Sequence, residues 1–304
     1  MNDVLSGLIR AALEHQGAHL RFDGNGDINQ VIPVEPAAVR YLSLNEVLLT
    51  PKAGSQTTFN GIIAARSLVA AAGAEIIRIP GPMTQQADID AEGNRRPLKQ
   101  QEVPRHYIVV APGKFAAVAD DAEITLSDAP YLVASYDDAT APSYGIGYTL
   151  TRQQLKHTFA DPDTVLRAVN IAIEQGIARL ADSVLLTDLN TKAATLTDDT
   201  VDEVAKVAAA KGCRWADLSA IAGTSAAGVT LGGDGTLRAC AVKAELTDTI
   251  ATTIVGDFSR AAVAIDDELR VTAKRINNGA VEIVVWCNAQ ALVPDSAYFW
   301  KYGA

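Results

Sequence analysis

Cysteine is scarce in this 304-residue chain: Cys213, Cys240 and Cys287 lie far apart and form no CxxC pair. That excludes a disulfide scaffold and a CxxC-type zinc or redox centre, and the odd, scattered set points to reduced thiols in a cytoplasmic protein. No run of about 18 apolar residues occurs, so no helix is expected to span a membrane. The opening MNDVLSGLIRAALEHQGAHL lacks the basic segment and apolar run of a secretory signal, which predicts a soluble protein made in the cytoplasm. Positive charge is in deficit: Lys+Arg 26 against Asp+Glu 36 gives a net charge of −10. Such a chain does not grip nucleic acid through a broad phosphate-binding surface. With 48% hydrophobic and 20% charged residues, it builds packed cores rather than a disordered tail. Its length suits two medium domains or one elongated one.

The local patterns alternate between types. Val4, Leu5, Leu8, Ile9, Ala12 and Leu13 predict an amphipathic helix within 1–20, ended by Gly17 and the turn-rich Asp23–Asp27. A helix is expected over Ile62–Ala72, stopped by Gly73. Short strands are expected at Ile76–Ile79, Tyr107–Val110, Ala122–Leu126 and Tyr131–Ser135. Between them the polar span 85–105 offers almost no core-forming residues, which reads as an arm laid on a neighbouring subunit. The strongest signal is 161–189, with Asp161 as N-cap, Pro162 at the first helical position, and Val165, Val169, Ile173, Ile177, Leu180 and Val184 at spacings of three and four. Arg167, Asn170, Glu174 and Asp182 lie off that stripe. A helix of this span is about 40 Å long. A second helix, Asp199–Lys211, stops at Gly212; a Gly/Ala/Thr-rich stretch, a strand pair and a GDFS turn at Gly256–Ser259 follow. Leu269, Val271 and Ala273 alternate with Arg270, Thr272 and Lys274, and Asn278-Gly279 predicts a two-residue hairpin turn into a return strand from Val281. No internal repeat is present.

Catalytic and metal motifs fail on inspection. His15 and His19 have the i, i+4 spacing of a zinc helix, but Gln16 replaces the required Glu. Asp23, Asn25 and Asp27 begin like a calcium loop, yet Ile28 and Val34 occupy its Gly and Glu positions. Gly223 and Gly228 have phosphate-loop spacing, with Val229 where Lys must stand. Ser225 lies in no nucleophile elbow, and His106 and His157 have no evident catalytic partners. These residues are read as solvated or structural; no cofactor, metal or enzyme activity is expected. The densest basic spot, Arg95, Arg96 and Lys99, is either a solvated loop or a patch that meets an acidic neighbour at Asp120-Asp121 or Asp137-Asp138.

The order of features resembles the major capsid protein of tailed double-stranded DNA bacteriophages, the Hong Kong ninety-seven type. TLTRQQLKHTFADPDTVLRAVNIAIEQGIARLADSVLLTDL looks like its strand and spine helix, FAAVADDAEITLSD like its extended loop, GDFSRAAVAI like its GDFS turn, and LRVTAKRINNGAVEIVVWCNAQALVPDSAYFWK like its closing strands. The resemblance covers roughly 70–302 and implies an α+β fold. Its parts would be an N-terminal arm and entry segment over 1–73 and an extended β-hairpin loop with its base over 74–148. A peripheral-domain strand and long spine helix over 149–191, an axial domain over 192–266 and closing peripheral strands over 267–304 complete it. The axial stretch is short and Ala/Thr-rich, and no long helical scaffolding segment precedes the body. Some members crosslink subunits through a Lys–Asn bond assisted by Glu; here Asn288 stands at the Glu position and Val281 at the Asn position, so no such crosslink is expected.

The resemblance implies a shell subunit that assembles with itself into pentamers and hexamers, forming a virion head around double-stranded DNA that it does not bind sequence-specifically. Scaffolding, portal and decoration proteins would be partners, and assembly would occur in the host cytoplasm. Candidate inter-subunit contacts are Arg95, Arg96, Lys99, Lys114, Asp120 and Asp121. The alternatives are an encapsulin-type compartment enclosing a cargo enzyme and, further off, a soluble α/β enzyme.

Overall fold

The computed structural model describes residues 20–22, 28–31, 38–43, 63, 65–79, 88–89, 95–96, 106–113, 115, 117–118, 120, 123–124, 126–137, 139–154, 162–276 and 279–303. The helix expected within 1–20 lies outside these residues except for Leu20, which begins the strand Leu20–Phe22 paired antiparallel with Ile28–Val31. His15, His19, Asp23–Asp27 and His157 lie outside them as well. The chain forms two compact units: Met1–Ile63, Ser143–Ala178 and Asp266–Asn288 make the first, and Ala64–Pro142, Arg179–Ile265 and Ala289–Ala304 the second.

In the first unit, residues 281–288 of the strand Val281–Leu292 run between Glu268–Arg275 and Ser143–Leu150, antiparallel to both. Ala38–Ser43 pairs with the outer side of Glu268–Arg275. The period-two pattern holds: Leu269, Val271, Ala273, Val281, Ile283 and Val285 are buried while Arg270 and Lys274 are exposed. The turn is longer than the two residues expected. Arg275 pairs with Val281, the Ile276 N–H bonds to the Ala280 carbonyl, and Gly279 at φ 82° bonds back to Ile276. Gly145 allows a close approach: a Cβ there would lie 3.0 Å from the Trp286 ring across the strand pair, so the ring would have to shift by a few tenths of an ångström.

The predicted long helix runs Pro162–Lys192. Its buried face is broader than the sequence stripe. Val169, Ile173, Ile177, Ala181, Leu185 and Leu189 form one row, and residues 170, 174, 178, 182 and 186 form a second beside it. Three polar residues off the sequence stripe occupy that second row: Asn170, Glu174 and Asp182 are only 1%, 3% and 5% exposed. Arg167, also off the stripe, is exposed.

In the second unit a mixed seven-stranded sheet has the order Ala194–Thr195, Phe299–Tyr302, Thr253–Gly256, Ser219–Ala222, Val242–Leu246, Leu237–Ala239, Val229–Leu231. The helix Val201–Lys211 covers it, starting at the Thr200 cap and ending at Gly212 with φ 72°. Its buried Val204 and Ala208 share a core with Leu218, Val242, Trp300 and Tyr302. The helix predicted over Ile62–Ala72 is helical at 63 and again over Leu68–Ala71; Gly73 at φ 118° stops it. Asp182 buttresses that short helix: its Oδ1 accepts from the Ser67 hydroxyl at 2.6 Å and from the Val69 N–H at 3.0 Å.

A second layer of this unit is built on Ala262–Asp266, which pairs with Glu75–Ile79 on one side and with residues 289–292 on the other. Against it packs the antiparallel hairpin His106–Val110 and Tyr131–Ser135. Tyr107, Val109 and Tyr136 join Ile79, Ala262, Ala264 and Leu292 in one apolar cluster.

Candidate assembly surface

The hairpin has two unlike faces. Strand geometry sends alternate side chains to opposite sides, and residues paired across the ladder share a side. Tyr107 with Ala134, and Val109 with Leu132, therefore turn one way, and Tyr107, Val109 and Ala134 pack in the core. Ile108 with Val133, and Val110 with Tyr131, turn the other way and stand about half exposed. In the connection between the strands, Phe115 and Leu126 are almost fully exposed and Ile124 is largely so. Nine of the thirteen large hydrophobic side chains exposed among the described residues fall between 108 and 133. Soluble monomers rarely show so concentrated an apolar surface, and such patches mark interaction sites.

The hairpin root is held by its own unit. The Tyr107 hydroxyl donates to the Ser259 carbonyl at 2.7 Å, and Arg260 Nη2 donates to the Val110 carbonyl at 3.1 Å. On the other strand, Gln290 Nε2 reaches the Ser135 carbonyl at 3.5 Å and its Oε1 accepts from the Asp137 N–H at 3.1 Å. The GDFS turn that supplies two of these contacts is a 3-10 turn, Phe258–Arg260, capped by Asp257. Burial pushes the Tyr107 phenol up to about 12, with Glu75 and Asp257 adding to the shift and Arg260 opposing it.

The sequence-predicted contacts fall as follows. Arg95 and Arg96 form a two-residue strand paired with Asp88–Ile89, and Asp120 is exposed in a turn. Lys99, Lys114, Asp121 and Asp138 lie outside the described residues. Asp137 is committed locally, its carboxylate accepting from the Ala139 N–H and the Thr140 hydroxyl. The strand expected over Ala122–Leu126 is not one: residues 123, 124 and 126 are irregular and exposed. The apolar hairpin face was missed as a candidate; its signal was the unbroken run Tyr107–Val110, hydrophobic on both faces of a strand.

Other motifs are structural. The backbone N–H groups of Gly223, Thr224 and Ser225 bond to the carbonyls of Thr252, Ile250 and Ala251, so the loop has no free nest of donors for a phosphate. His106 Nδ1 lies 2.7 Å from the Ser135 hydroxyl across the hairpin. All three cysteines are free thiols; Cys240 and Cys287 are buried and Cys213 is half-buried. Among the described residues no cluster of three or more His, Cys, Asp or Glu is placed to hold a metal ion. No described helix is long and apolar enough to cross a membrane.

No protein-family model and no curated protein matches the sequence. Solved structures do match the fold. A chain of the satellite phage P4 procapsid including size determination (Sid) protein is 13% identical, with a TM-score of 0.51 over 84% of this chain and 92% of that one. A chain of the capsid of an empty GTA particle is 14% identical, with a TM-score of 0.45 over 84% and 92%. A chain of a virus-like particle from Pyrococcus furiosus is 8% identical, with a TM-score of 0.43 over 80% and 97%. The fold is assigned on the first of these: the chain has the α+β phage capsid fold that the sequence resemblance implied.

Proposed function

We propose that this chain is a shell subunit, the major capsid protein of a tailed bacteriophage. Copies assemble into pentamers and hexamers and close an icosahedral head around double-stranded DNA. The observation that carries the reading is the match of fold along 84% of the chain to a procapsid chain. The concentration of exposed apolar side chains between 108 and 133 supports it, because a neighbouring copy gives that surface a partner. In this reading 74–148 supplies the extended loop and its base, 192–266 the axial part, and 149–191 with 267–304 the peripheral part. Arg95, Arg96, Lys99 and Lys114 meet acidic groups such as Asp120 and Asp121 of the next copy. Each exposed ion pair contributes only about 0.2–1 kcal/mol, but closure of a ring makes every further contact effectively intramolecular. The net charge of −10 suits a wall that retains DNA by enclosure rather than by phosphate contacts. Scaffolding and portal proteins, with or without decoration proteins, complete the assembly, which forms in the host cytoplasm.

Sedimentation and negative-stain microscopy of the purified protein, alone and with a scaffolding partner, test this. Closed particles with nuclease-protected DNA are expected from native preparations. Particles filled with a protein cargo favour the encapsulin-type alternative, and a monomer or dimer under all conditions overturns the shell reading. Ile108→Lys, on the outer hairpin face, is expected to block assembly while leaving the melting temperature of the subunit nearly unchanged.

A further inference from the structure

The GDFS turn is far more heavily bonded than a connection between two strands requires. Asp257 Oδ1 accepts from both the N–H and the hydroxyl of Ser259, at 3.2 and 2.6 Å, while Oδ2 lies 3.5 Å from Arg260 Nε. The ion pair is screened from solvent, its side chains only 16% (Arg260) and 13% (Asp257) exposed. The Arg260 guanidinium carbon lies over the Tyr298 ring, 3.8 Å from its centroid. With Nε near Asp257 and the guanidinium held over the ring, Nη2 ends on the Val110 carbonyl, while Nη1 is buried without a hydrogen-bond partner among the described residues. Three residues back along the same strand, the Tyr107 hydroxyl bonds to the Ser259 carbonyl. Two fixed points on one strand set its rotation as well as its position. They also hold the one described segment where exposed apolar side chains concentrate.

We infer that Asp257, Arg260 and Tyr298 form a latch that fixes how the hairpin His106–Val110/Tyr131–Ser135 is presented, with Arg260 as the positioning residue. An apolar patch on a two-stranded ribbon serves as an interface only if its angle is held within a narrow range, since heterologous contacts close into rings of five or six at neighbouring rotations and into open filaments or nothing at others. The latch holds that angle from the hairpin root, through an ion pair that is largely screened from solvent. The inference depends on the shell reading only for its effect on association; the effect on the hairpin stands without it.

The test uses the full chain, held unassembled at low concentration, with Arg260→Gln, Arg260→Lys and Tyr107→Phe as variants. Amide hydrogen exchange is read peptide by peptide, and association by sedimentation against concentration. Arg260→Gln is expected to speed exchange in 106–111 and 131–136 by roughly tenfold to a hundredfold, the range for losing a hydrogen bond from a charged donor. Tyr107→Phe is expected to give about threefold to tenfold. Arg260→Lys keeps the charge but not the planar fork, and is expected to fall near Arg260→Gln. Exchange in Val201–Lys211 and Thr253–Gly256 is expected to stay unchanged, which separates a latch from general loss of packing. Hairpin exchange that matches the parent in all three variants overturns the inference, as does acceleration spread evenly through the second unit. Local acceleration with a raised concentration threshold for association supports both the latch and the interface. Local acceleration with unaltered association supports the latch and overturns the assembly role of the hairpin face.

Discussion

Removing the Asp182 carboxylate is the sharpest test of the second unit. The side chain lies in the buried row of the long helix, and Oδ1 accepts from two donors across 115 and 113 residues of sequence: the Ser67 hydroxyl at 2.6 Å and the Val69 N–H at 3.0 Å. Ser67 in turn caps Leu68–Ala71, its oxygen accepting from the Ala70 N–H at 3.2 Å. The Val69 N–H lies in the first helical turn and has no intrahelical acceptor. Asp182→Ala orphans both donors in a buried site, at about 1–3 kcal/mol each, and relief of the carboxylate's own desolvation offsets part of that. The net expected loss is about 2–4 kcal/mol, a fall of roughly 4–16 °C in melting temperature for a domain of this size. Urea denaturation of the full chain at low concentration measures it. Asp182→Asn retains an acceptor of the same shape and is expected to cost about 1 kcal/mol. Combining Asp182→Ala with Ser67→Ala should cost less than the sum of the two singles by about 0.5–3 kcal/mol, since both remove the same bond. A loss below about 1 kcal/mol for Asp182→Ala, or strict additivity of the pair, would refute the buttress.

Three further outcomes can be checked. Gly223→Ala would place a Cβ onto the Thr252 carbonyl oxygen and 2.5 Å from that of Ile250, all backbone, so it is expected to cost at least about 1–3 kcal/mol; Gly233→Ala, with nothing within 4 Å, serves as a control expected within about 0.5 kcal/mol. In a native thiol titration near pH 8, Cys213 is expected to react first. Cys240 and Cys287 should stay protected, since both are buried and burial, with a smaller push from Asp266, raises the Cys287 thiol to about 12. The folded Tyr107 phenol holds its proton to about 12 whereas the unfolded chain loses it near 10, so that group's stabilising contribution is complete below about pH 10 and drains away as pH rises toward 12. Urea midpoints are therefore expected to fall more steeply over this range in the parent than in Tyr107→Phe, and equal slopes would contradict the burial of that hydroxyl.

The parts of the fold legible in the sequence were those with one strong local period. Pro162 and the apolar spacings marked the long helix, Gly212 marked the end of the second, whose start lies at Val201 rather than Asp199, and Leu269–Lys274 alternates as a half-exposed strand. What escaped depends on partners distant in sequence. Asn170, Glu174 and Asp182 look like solvent-facing residues because a helix pattern reveals how many apolar rows it has, not how many are covered; Asp182 needs Ser67 to make sense of its burial. The hairpin turn at 276–280 was misjudged because Asn-Gly marks a turn without fixing the ladder register on either side. Of the candidate contacts, charge clustering drew attention to Arg95, Arg96 and Lys99. The apolar surface at 108–133 carries no comparable mark in composition, since a buried strand and a strand covered by a neighbour read alike.

Along His106–Val110 the two jobs of the chain are interleaved one residue at a time. Tyr107 and Val109 answer to the interior, while Ile108 and Val110 answer to whatever lies outside. Substitutions here should therefore sort by parity. Changes at odd positions would be paid for in yield of folded protein, and changes at even positions in the behaviour of the folded protein toward its surroundings. Lineages that diverge in what this face meets can then vary every second letter of this pentapeptide while the letters between them stay still.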